Sequence, residues 1–262
     1  MKLYFLGGGN MASSIIAALK NKHSDLSIHV VERYPEQRES LVQRFGVSVS
    51  ETLPTLQKDD VLLLAIKPQD MAAACANIQT NGALVLSIAA GLSVDTLSQY
   101  LGGTHRIVRI MPNTPARVGL GVAGLFADVE ANDDDRAFAD KLMSSCGQTI
   151  WLKDEAQMHA ITAVSGSGPA YVFYLLNALQ AAAQAQGFDE KTAYEMSLQT
   201  FKGAVALAEQ SDLSFGELQQ QVTSKGGTTF AALESFRKHQ LDAHFIDGVN
   251  AAAERSLEMA KM

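Results

Sequence analysis

Short apolar segments alternate with helical patterns along the first half of the chain. The apolar segments are KLYFLG, SIHVVER, DVLLLAIK, ALVLSIAAG and HRIVRI, and amphipathic helices are predicted at 11–20, 36–45 and 69–78. An alternation of strand and helix is typical of a mainly parallel sheet with helices on both faces. The unbroken runs VLLLAI and ALVLSI predict central strands that are buried on both sides.

The pattern changes near residue 153. GVAGLFA, a helix at 133–146 and QTIWL extend the strand and helix pattern as far as Leu152. From Asp154 onward every pattern is helical, and helices are predicted at 155–164, 169–186, 190–209, 215–222, 228–238 and 242–259. We therefore predict two domains, an α/β domain over 1–153 and an all-α domain over 154–262.

Charge and composition disfavour two classes of partner. The 262 residues are 47% hydrophobic and carry a formal net charge of −7, without a basic run of the kind that binds nucleic acid. The most apolar helix, 170–185, is interrupted by Asn177, Gln180 and Gln184 and is shorter than the roughly 20 residues that a bilayer requires. We expect neither a nucleic-acid partner nor a membrane partner.

The cysteine pattern points to a reducing compartment. Cys75 and Cys146 lie in unrelated contexts, without CxxC or Cys/His spacing, so we expect no disulfide framework and no metal site. The opening segment, MKLYFLGGGN, has too few apolar residues for the core of a signal peptide. A cytoplasmic location is therefore expected.

The segment FLGGGNMA follows the first predicted strand and opens a helix. It contains Gly7, Gly9 and Ala12 in the pattern GxGxxA. A turn of this kind uses one glycine for its tight bend, a second for close approach to a pyrophosphate, and a small third residue where helix meets strand. The helix N-terminus then supplies N–H donors to the phosphates. The motif and its context predict a Rossmann-type dinucleotide site.

The ends of the next strands supply candidates for the rest of the cofactor. The second strand ends at Glu32 and Arg33, where a carboxylate suits the ribose of NAD and an arginine suits the 2′-phosphate of NADP. These residues alone leave the choice open. LAIKPQD, which contains Lys67, and SIAAG follow two further strands and are expected to border the nicotinamide, because ligands of open parallel sheets bind at that edge.

Glycines also interrupt the helical half, in TSKGGTTFAAL. Gly226 and Gly227 are predicted to end one helix, and Thr228 and Thr229 to begin the next. Backbone N–H groups and hydroxyls at such a junction form a small anion site that suits a carboxylate. The alternative is a plain glycine C-cap followed by a threonine N-cap.

Six motifs together resemble one enzyme family. FLGGGNMA, LAIKPQ, SIAAG, RIMPNTP, AVSGSGPAY and TSKGGTTFAAL, in this order, resemble pyrroline-5-carboxylate reductase across nearly the whole chain. The resemblance implies a Rossmann domain and a helical domain that dimerises through interlocking helices, with higher oligomers built from dimers. It implies reduction of Δ1-pyrroline-5-carboxylate to L-proline, the last step of proline biosynthesis, by NADPH or NADH, and of the two we favour NADPH.

The resemblance also implies site residues. Those implied for the cofactor, with Glu32 and Arg33 added from the strand end, are Leu6, Gly7, Gly8, Gly9, Asn10, Met11, Glu32, Arg33, Ala65, Ile66, Lys67, Pro68, Ala89 and Ala90. Those implied for the substrate are Glu155, Ser224, Gly227, Thr228 and Thr229. The Thr229 hydroxyl, expected at the ring nitrogen, is the candidate catalytic group. Orientation on the cofactor and a proton source at nitrogen are sufficient for imine reduction, so no catalytic histidine or cysteine is required.

Two departures and three alternatives stay open at this point, and one departure is the pair Glu32 and Arg33, since the family is not uniform there. Lys225 stands where family members commonly have proline, which adds a cation beside the expected carboxylate site. The alternatives are another imine reductase, a β-hydroxyacid dehydrogenase of the same plan, and a non-catalytic dinucleotide sensor. A hydroxyacid enzyme requires a lysine base in its second domain, and neither Lys191 nor Lys202 lies in that motif.

Overall fold

A single eight-stranded sheet dominates the N-terminal part of the chain. The structure is a computed structural model that describes residues 1–23 and 25–260. The strands are β1 (Leu3–Leu6), β2 (Ile28–Val31), β3 (Ser48–Ser50), β4 (Val61–Leu64), β5 (Leu84–Ser87), β6 (Ile107–Met111), β7 (Gly121–Ala127) and β8 (Gly147–Trp151). Their order is β3-β2-β1-β4-β5-β6-β7-β8, and only the β6–β7 pair is antiparallel. The predicted mainly parallel sheet is confirmed.

Helices follow most of the strands, and helices joined by short turns form the described chain after β8. They are α1 (Asn10–Lys22), α2 (Pro35–Phe45), α3 (Pro68–Cys75), α4 (Val94–Tyr100), α5 (Asp133–Ser144), α6 (Gln157–Ile161), α7 (Gly168–Ala185), α8 (Glu190–Glu209), α9 (Phe215–Gln221), α10 (Thr228–Lys238) and α11 (Leu241–Met259). A 3₁₀ turn spans Thr114–Val118 and a π-helical turn spans Thr162–Gly166. None of the helices in the described ranges combines the length and apolar character needed to cross a bilayer.

The central strands divide their side chains between two core layers. Leu3 and Phe5 of β1 belong to one layer with Ile15 and Leu19 of α1, because successive side chains of a strand point to opposite faces. Tyr4 and Leu6 belong to the other layer, together with side chains of α3 and α4. Every residue of β1, β2, β4 and β5 is buried. The unbroken apolar runs therefore indicated two-sided burial correctly.

The direction in which the chain adds strands to the sheet reverses between β1 and β4. From β1 the chain passes outward to β2 and β3, and then crosses back to place β4 on the other side of β1. Loops that leave two adjacent parallel strands in opposite directions open a crevice at the carboxyl edge of a sheet. The loop after Leu6 and the loop after Leu64 form this crevice, since these two residues are register partners.

Three local elements differ from the sequence prediction. The edge strand β3 and the seven-residue helix α4 were not predicted, because segments this short contain too few residues for a periodic pattern. The helix predicted at 155–164 is instead a short α-helix, Gln157–Ile161, that continues as the π-helical turn. Hydrophobic periodicity does not distinguish a π turn from an α-helix over so few residues.

Contacts between Cα atoms divide the chain into two compact units. One contains Met1–Pro169 together with the end of α11 from Ala252 onward, and the other contains Ala170–Ala251. The sequence-based boundary near residue 153 stays a prediction about domain organisation. The last two residues of the predicted helical domain, 261 and 262, lie outside the described residues.

A histidine and an aspartate join the loop before β6 to the end of β7. His105 Nδ1 lies 2.8 Å from Asp128 Oδ2, and the hydrogen bond with Asp128 is the main cause of a raised pKa of His105. A group whose pKa is higher in the folded than in the unfolded state stabilises the fold at low pH, and the stabilisation is lost as the pH rises through the folded pKa.

We expect the cost of His105→Gln to depend on pH. The difference in free energy of unfolding between wild type and variant should be larger at about pH 5.5 than at about pH 8.5, on either side of the ordinary histidine pKa. Urea denaturation at both pH values measures it. A difference that stays constant, or that grows with pH, would contradict the raised pKa.

Candidate cofactor and substrate sites

A cleft of about 600 Å³ lies at the carboxyl edge of the sheet, over the crevice between β1 and β4. Nine of the predicted cofactor residues line it, namely Leu6, Gly7, Gly8, Gly9, Glu32, Arg33, Ala65, Ile66 and Lys67. Asn10 and Met11 open α1 directly after the glycine turn, and Pro68 is the first residue of α3. The sheet topology thus brings together three motifs that lie far apart in the sequence.

The glycine turn is shaped by close backbone packing. Gly7 has φ of 100°, and a Cβ built on it would lie 2.7 Å from the carbonyl oxygen of Ala65. A Cβ on Gly8 would lie 2.5 Å from Leu41 Cδ1 of α2. Gly7 therefore excludes any side chain, because the Cβ would collide with backbone at a positive φ, whereas a Cβ at Gly8 would require the Leu41 side chain to shift.

The space beside the third glycine, Gly9, is unobstructed. Gly9 is the N-cap of α1, has ordinary φ of −66° and has no side-chain cap hydrogen bond. A Cβ built on it would meet nothing within 4 Å. The first N–H groups of a helix carry positive partial charge and lack helical partners, so they bind anions. The geometry at Gly9 fits a pyrophosphate that approaches the backbone directly.

Glu32 is held by the turn that it borders. Its Oε2 accepts a hydrogen bond from the Gly8 N–H at 3.0 Å, and its Oε1 accepts one from the Tyr34 N–H at 3.0 Å. The Gln37 amide donates to the Gly8 carbonyl at 2.7 Å. The carboxylate therefore stabilises the glycine turn, and each of its oxygens is partly occupied before any ribose hydroxyl could bind.

Arg33 and Lys67 bring positive charge to the same cleft. The Arg33 guanidinium lies 4.7 Å from the centre of the Tyr34 ring, which orients a charge that would otherwise move freely. Lys67 is exposed at the N-cap of α3, and the structure records no ion pair for it among the described residues. Both cations are thus available to a phosphate.

Sequence reasoning missed several residues that line the cleft. They are Val31, Tyr34, Glu51, Asp70, Ala73 and Ala74. Glu51 directly follows β3, so a prediction of that strand would have placed Glu51 at the same sheet edge. The alanines lie on the last turn of the short helix α3, where small side chains leave room for a ligand.

Glu155 has structural partners next to the loop after β5, which contains Ala89 and Ala90. Glu155 Oε1 accepts hydrogen bonds from the Arg109 guanidinium at 2.6 Å and from the Val94 N–H at 2.7 Å. Arg109 is buried on β6. The pair therefore fixes the start of α4, immediately after this loop, and the predicted substrate contact of Glu155 stays a prediction.

The end of α11 lies against the same loop. The Met259 backbone lies 3.6 Å from a Cβ built on Gly91, and His159 Nδ1 lies 2.9 Å from Ser256 Oγ. Burial, and then the Arg109 cation, lower the pKa of His159. A neutral histidine is therefore favoured there, and its hydrogen bond joins α6 to α11.

The segment TSKGGTT forms one compact turn between α9 and α10. The Gly227 N–H donates to the Ser224 carbonyl at 3.0 Å, and Gly226 has φ of 74°. Gly227 is the N-cap of α10 and has no side-chain cap hydrogen bond. A Cβ on Gly227 would lie 2.5 Å from Ser224 Oγ. The turn therefore brings the hydroxyl of Ser224 to the N-terminus of the helix that Thr228 and Thr229 begin.

The thiols have no role as nucleophiles in this structure. Burial raises the pKa of Cys75 and of Cys146 to about 11, so both stay protonated near neutral pH. No cluster of three histidine, cysteine or carboxylate side chains within the described residues could hold a metal ion.

The doubly wound sheet, the glycine turn and the cleft define a dinucleotide-dependent oxidoreductase of the Rossmann class. Two family models match the chain, one described as pyrroline-5-carboxylate reductase dimerisation over residues 155–259 and one as NADP oxidoreductase coenzyme F420-dependent over residues 2–91. The chain is 40% identical over 260 residues to pyrroline-5-carboxylate reductase of Haemophilus influenzae, covering 97% of this chain and 96% of the relative. The chain belongs to the pyrroline-5-carboxylate reductase family.

Solved structures agree with this assignment. A pyrroline-5-carboxylate reductase from Coxiella burnetii matches with a TM-score of 0.88 and 34% identity, covering 100% of this chain and 99% of that chain. The enzyme of Plasmodium falciparum, solved with NADP bound, matches with a TM-score of 0.86 and 26% identity, covering 99% and 98%. The predicted fold class, a Rossmann domain followed by a helical dimerisation domain, is confirmed.

Two glycine variants separate cofactor binding from folding. We expect Gly9→Ala to change the free energy of unfolding by no more than about 1 kcal/mol, the usual scale at an N-cap, because its Cβ has room. The methyl group would occupy the space needed by the pyrophosphate, so the KM for cofactor should rise about tenfold or more.

Gly7→Ala is the matched control. It should destabilise the fold by about 2 kcal/mol or more, because its Cβ collides with the Ala65 backbone. Thermal or urea denaturation and steady-state kinetics measure both variants. A Gly9→Ala protein that binds cofactor as the wild type does would refute the pyrophosphate site.

Proposed function

We propose that this protein reduces Δ1-pyrroline-5-carboxylate to L-proline with NAD(P)H, as the last step of proline biosynthesis. The observation that carries the proposal is the open N-terminus of α1 at Gly9, in a cleft where position 7 excludes a side chain. Membership of the pyrroline-5-carboxylate reductase family supports the choice of substrate.

The cofactor is held by the residues of the cleft. The pyrophosphate binds the turn from Leu6 to Met11, and the helix N-terminus neutralises part of its charge. The 2′-phosphate of NADPH pairs with Arg33, whose guanidinium lies beside the Tyr34 ring. The nicotinamide lies against Ala89 and Ala90. NAD(P)H supplies the hydride.

The substrate is held by the turn between α9 and α10. Its carboxylate accepts hydrogen bonds at Ser224, Gly227 and Thr228, where the N-terminus of α10 lacks a side-chain cap. The Thr229 hydroxyl lies at the ring nitrogen, and Glu155 lies near the substrate. Lys225, exposed on this turn, adds a positive charge that favours the carboxylate.

Binding and orientation account for the chemistry. A protonated imine accepts hydride at carbon more readily than the neutral imine, so a hydroxyl at nitrogen helps to hold the proton there. Because the carboxylate is fixed at one end and the nitrogen at the other, the ring is presented in one orientation. The described residues therefore need to supply positioning and hydrogen bonds but no covalent intermediate.

The first test is an assay of the purified chain with pyrroline-5-carboxylate and NADPH. Reduced nicotinamide should be consumed in equal amount with proline formed. A non-catalytic sensor would bind NADPH without consuming it, and a β-hydroxyacid dehydrogenase would fail to turn over this substrate. Either result would overturn the proposed function.

Threonine variants test the two ends of the substrate. We expect Thr229→Ala mainly to lower kcat and Thr228→Val mainly to raise the substrate KM, each by about tenfold, because one hydroxyl meets the reacting nitrogen and the other the carboxylate. Thr223→Val is the matched control, since the Thr223 hydroxyl donates to the Gln219 carbonyl at 2.6 Å. Wild-type kinetics in both test variants would contradict the assignment of the substrate site to this turn.

Arg33→Ala tests the preference for NADPH. Loss of the cation should raise the KM for NADPH about tenfold and change the KM for NADH less than about twofold, because only NADPH carries the 2′-phosphate. Glu32→Gln should lower the KM for NADPH because it removes the negative charge. Its amide nitrogen cannot accept the second of the two backbone N–H groups that the carboxylate holds, so the free energy of unfolding of this variant is measured beside the kinetics. Equal losses for both cofactors in Arg33→Ala would show that Arg33 does not bind the 2′-phosphate.

We further propose that the chain forms homodimers through its helical part, with higher oligomers built from dimers, in the cytoplasm. The match to the dimerisation model over 155–259 supports this assembly. So does α7, which has no buried residue and leaves Phe173 67% and Tyr174 75% exposed. The two free cysteines suit a reducing compartment. A monomeric mass by light scattering would contradict the dimer.

A further inference from the structure

The segment AVSGSG, which the proposed function leaves without a role, contains the π-helical turn Thr162–Gly166. The Ser167 N–H donates to the Thr162 carbonyl at 2.8 Å, which closes the wide turn. Such turns are rare in proteins and occur frequently at functional sites, where they displace one residue from the regular helix. The residue before the end of this turn is Ser165.

Two contacts hold the turn against the end of β6. The Asn113 amide donates to the Ser165 carbonyl at 3.1 Å, and Asn113 Oδ1 accepts from the Val122 N–H at 2.9 Å. A Cβ built on Gly166 would lie 2.8 Å from Met111 Cε, so Gly166 packs closely against the end of the Met111 side chain. Asn113 is itself buried. The turn is therefore fixed at the carboxyl edge of the sheet.

This position is next to the loop assigned to the nicotinamide. β5 and β6 are parallel, and Ser87 pairs with Arg109, so Ala89 and Met111 leave the sheet side by side. The π-helical turn packs against Met111, and Ala89 and Ala90 follow β5. In the proposed binding mode, the turn is therefore a neighbour of the loop that contacts the nicotinamide.

The hydroxyl of Ser165 is unusual in its surroundings. It is the one buried side-chain oxygen or nitrogen in the described residues that has no hydrogen-bond partner. The hydroxyl of Thr162 on the same turn donates to the Met158 carbonyl at 2.6 Å, and the buried hydroxyl of Ser256 meets His159. A buried polar group without a partner costs stability, so its presence requires an explanation.

We propose that the Ser165 hydroxyl binds the carboxamide of the nicotinamide ring, which supplies the missing partner. The hydroxyl can donate to the carboxamide oxygen or accept from its amide nitrogen. The contact fixes the rotation of the ring and so selects the face from which hydride leaves. The inference rests on the proposed function for the identity of the cofactor, and on Asn113 and Met111 for the position of the serine.

The experiment compares Ser165→Ala with the matched control Ser167→Ala, which removes a hydroxyl from the end of the same segment. Dissociation constants are measured without substrate for NADPH, and for 2′-phospho-ADP-ribose, which lacks the nicotinamide. We expect Ser165→Ala to weaken NADPH binding about tenfold, to leave binding of the fragment unchanged, and to leave the apo-protein Tm equal to or above that of wild type. Ser167→Ala should match wild type in both titrations.

Three results would overturn the proposal. They are unchanged NADPH binding in Ser165→Ala, equal weakening of NADPH and the fragment, and a lower apo-protein Tm, which would indicate a role in folding. Wild-type turnover is measured separately, so failure of the proposed reaction is distinguished from failure at Ser165.

Discussion

The close approach of Gly7 to the Ala65 carbonyl is the contact on which the cofactor cleft depends. At 2.7 Å from a hypothetical Cβ, that oxygen leaves room for hydrogen only. The approach lets the turn after β1 pack against the loop after β4, and it directs α1 so that its N-terminus faces the crevice. Without it the strands could still pair, but the helix dipole and the free N–H groups would no longer meet one anion.

Structural and ligand-binding roles share residues around this contact. The motif predicts that Glu32 binds the ribose hydroxyls. Both of its carboxylate oxygens, however, already accept hydrogen bonds, one from the Gly8 N–H and one from the Tyr34 N–H. Glu155 likewise holds Arg109 and the start of α4. In both cases a carboxylate satisfies backbone donors at an exposed loop, which makes the loop rigid before a ligand arrives. Preorganisation of this kind reduces the entropy lost on binding.

Much of the site could be predicted because its chemistry is local. GxGxxA demands a strand, a tight turn and a helix within a few residues, and the apolar runs around it show both strands and their burial. Gly227 and Thr228 similarly mark the start of a helix, and α10 begins at Thr228 as predicted, whereas α9 ends at Gln221 and not at Gly226. Tyr34 and Asp70 were missed although they adjoin predicted segments, because no local pattern marks them as cleft residues, and Glu51 was missed because β3 was not predicted.

The sequence by itself determined the α/β pattern, the two-sided burial of the central strands, the glycine turn and the helix junction near residue 227, since each follows from the periodicity or conformational freedom of neighbouring residues. Only the tertiary structure decided the antiparallel pairing of β7, the engagement of Glu32 and Glu155, and the isolation of the Ser165 hydroxyl. These features depend on contacts between residues that lie tens of positions apart in the sequence. Such contacts produce no periodic pattern from which they could be predicted. The π-helical turn shows the distinction most clearly: its residues are compatible with an ordinary helix, and packing against Met111 and Asn113 accompanies its wider form.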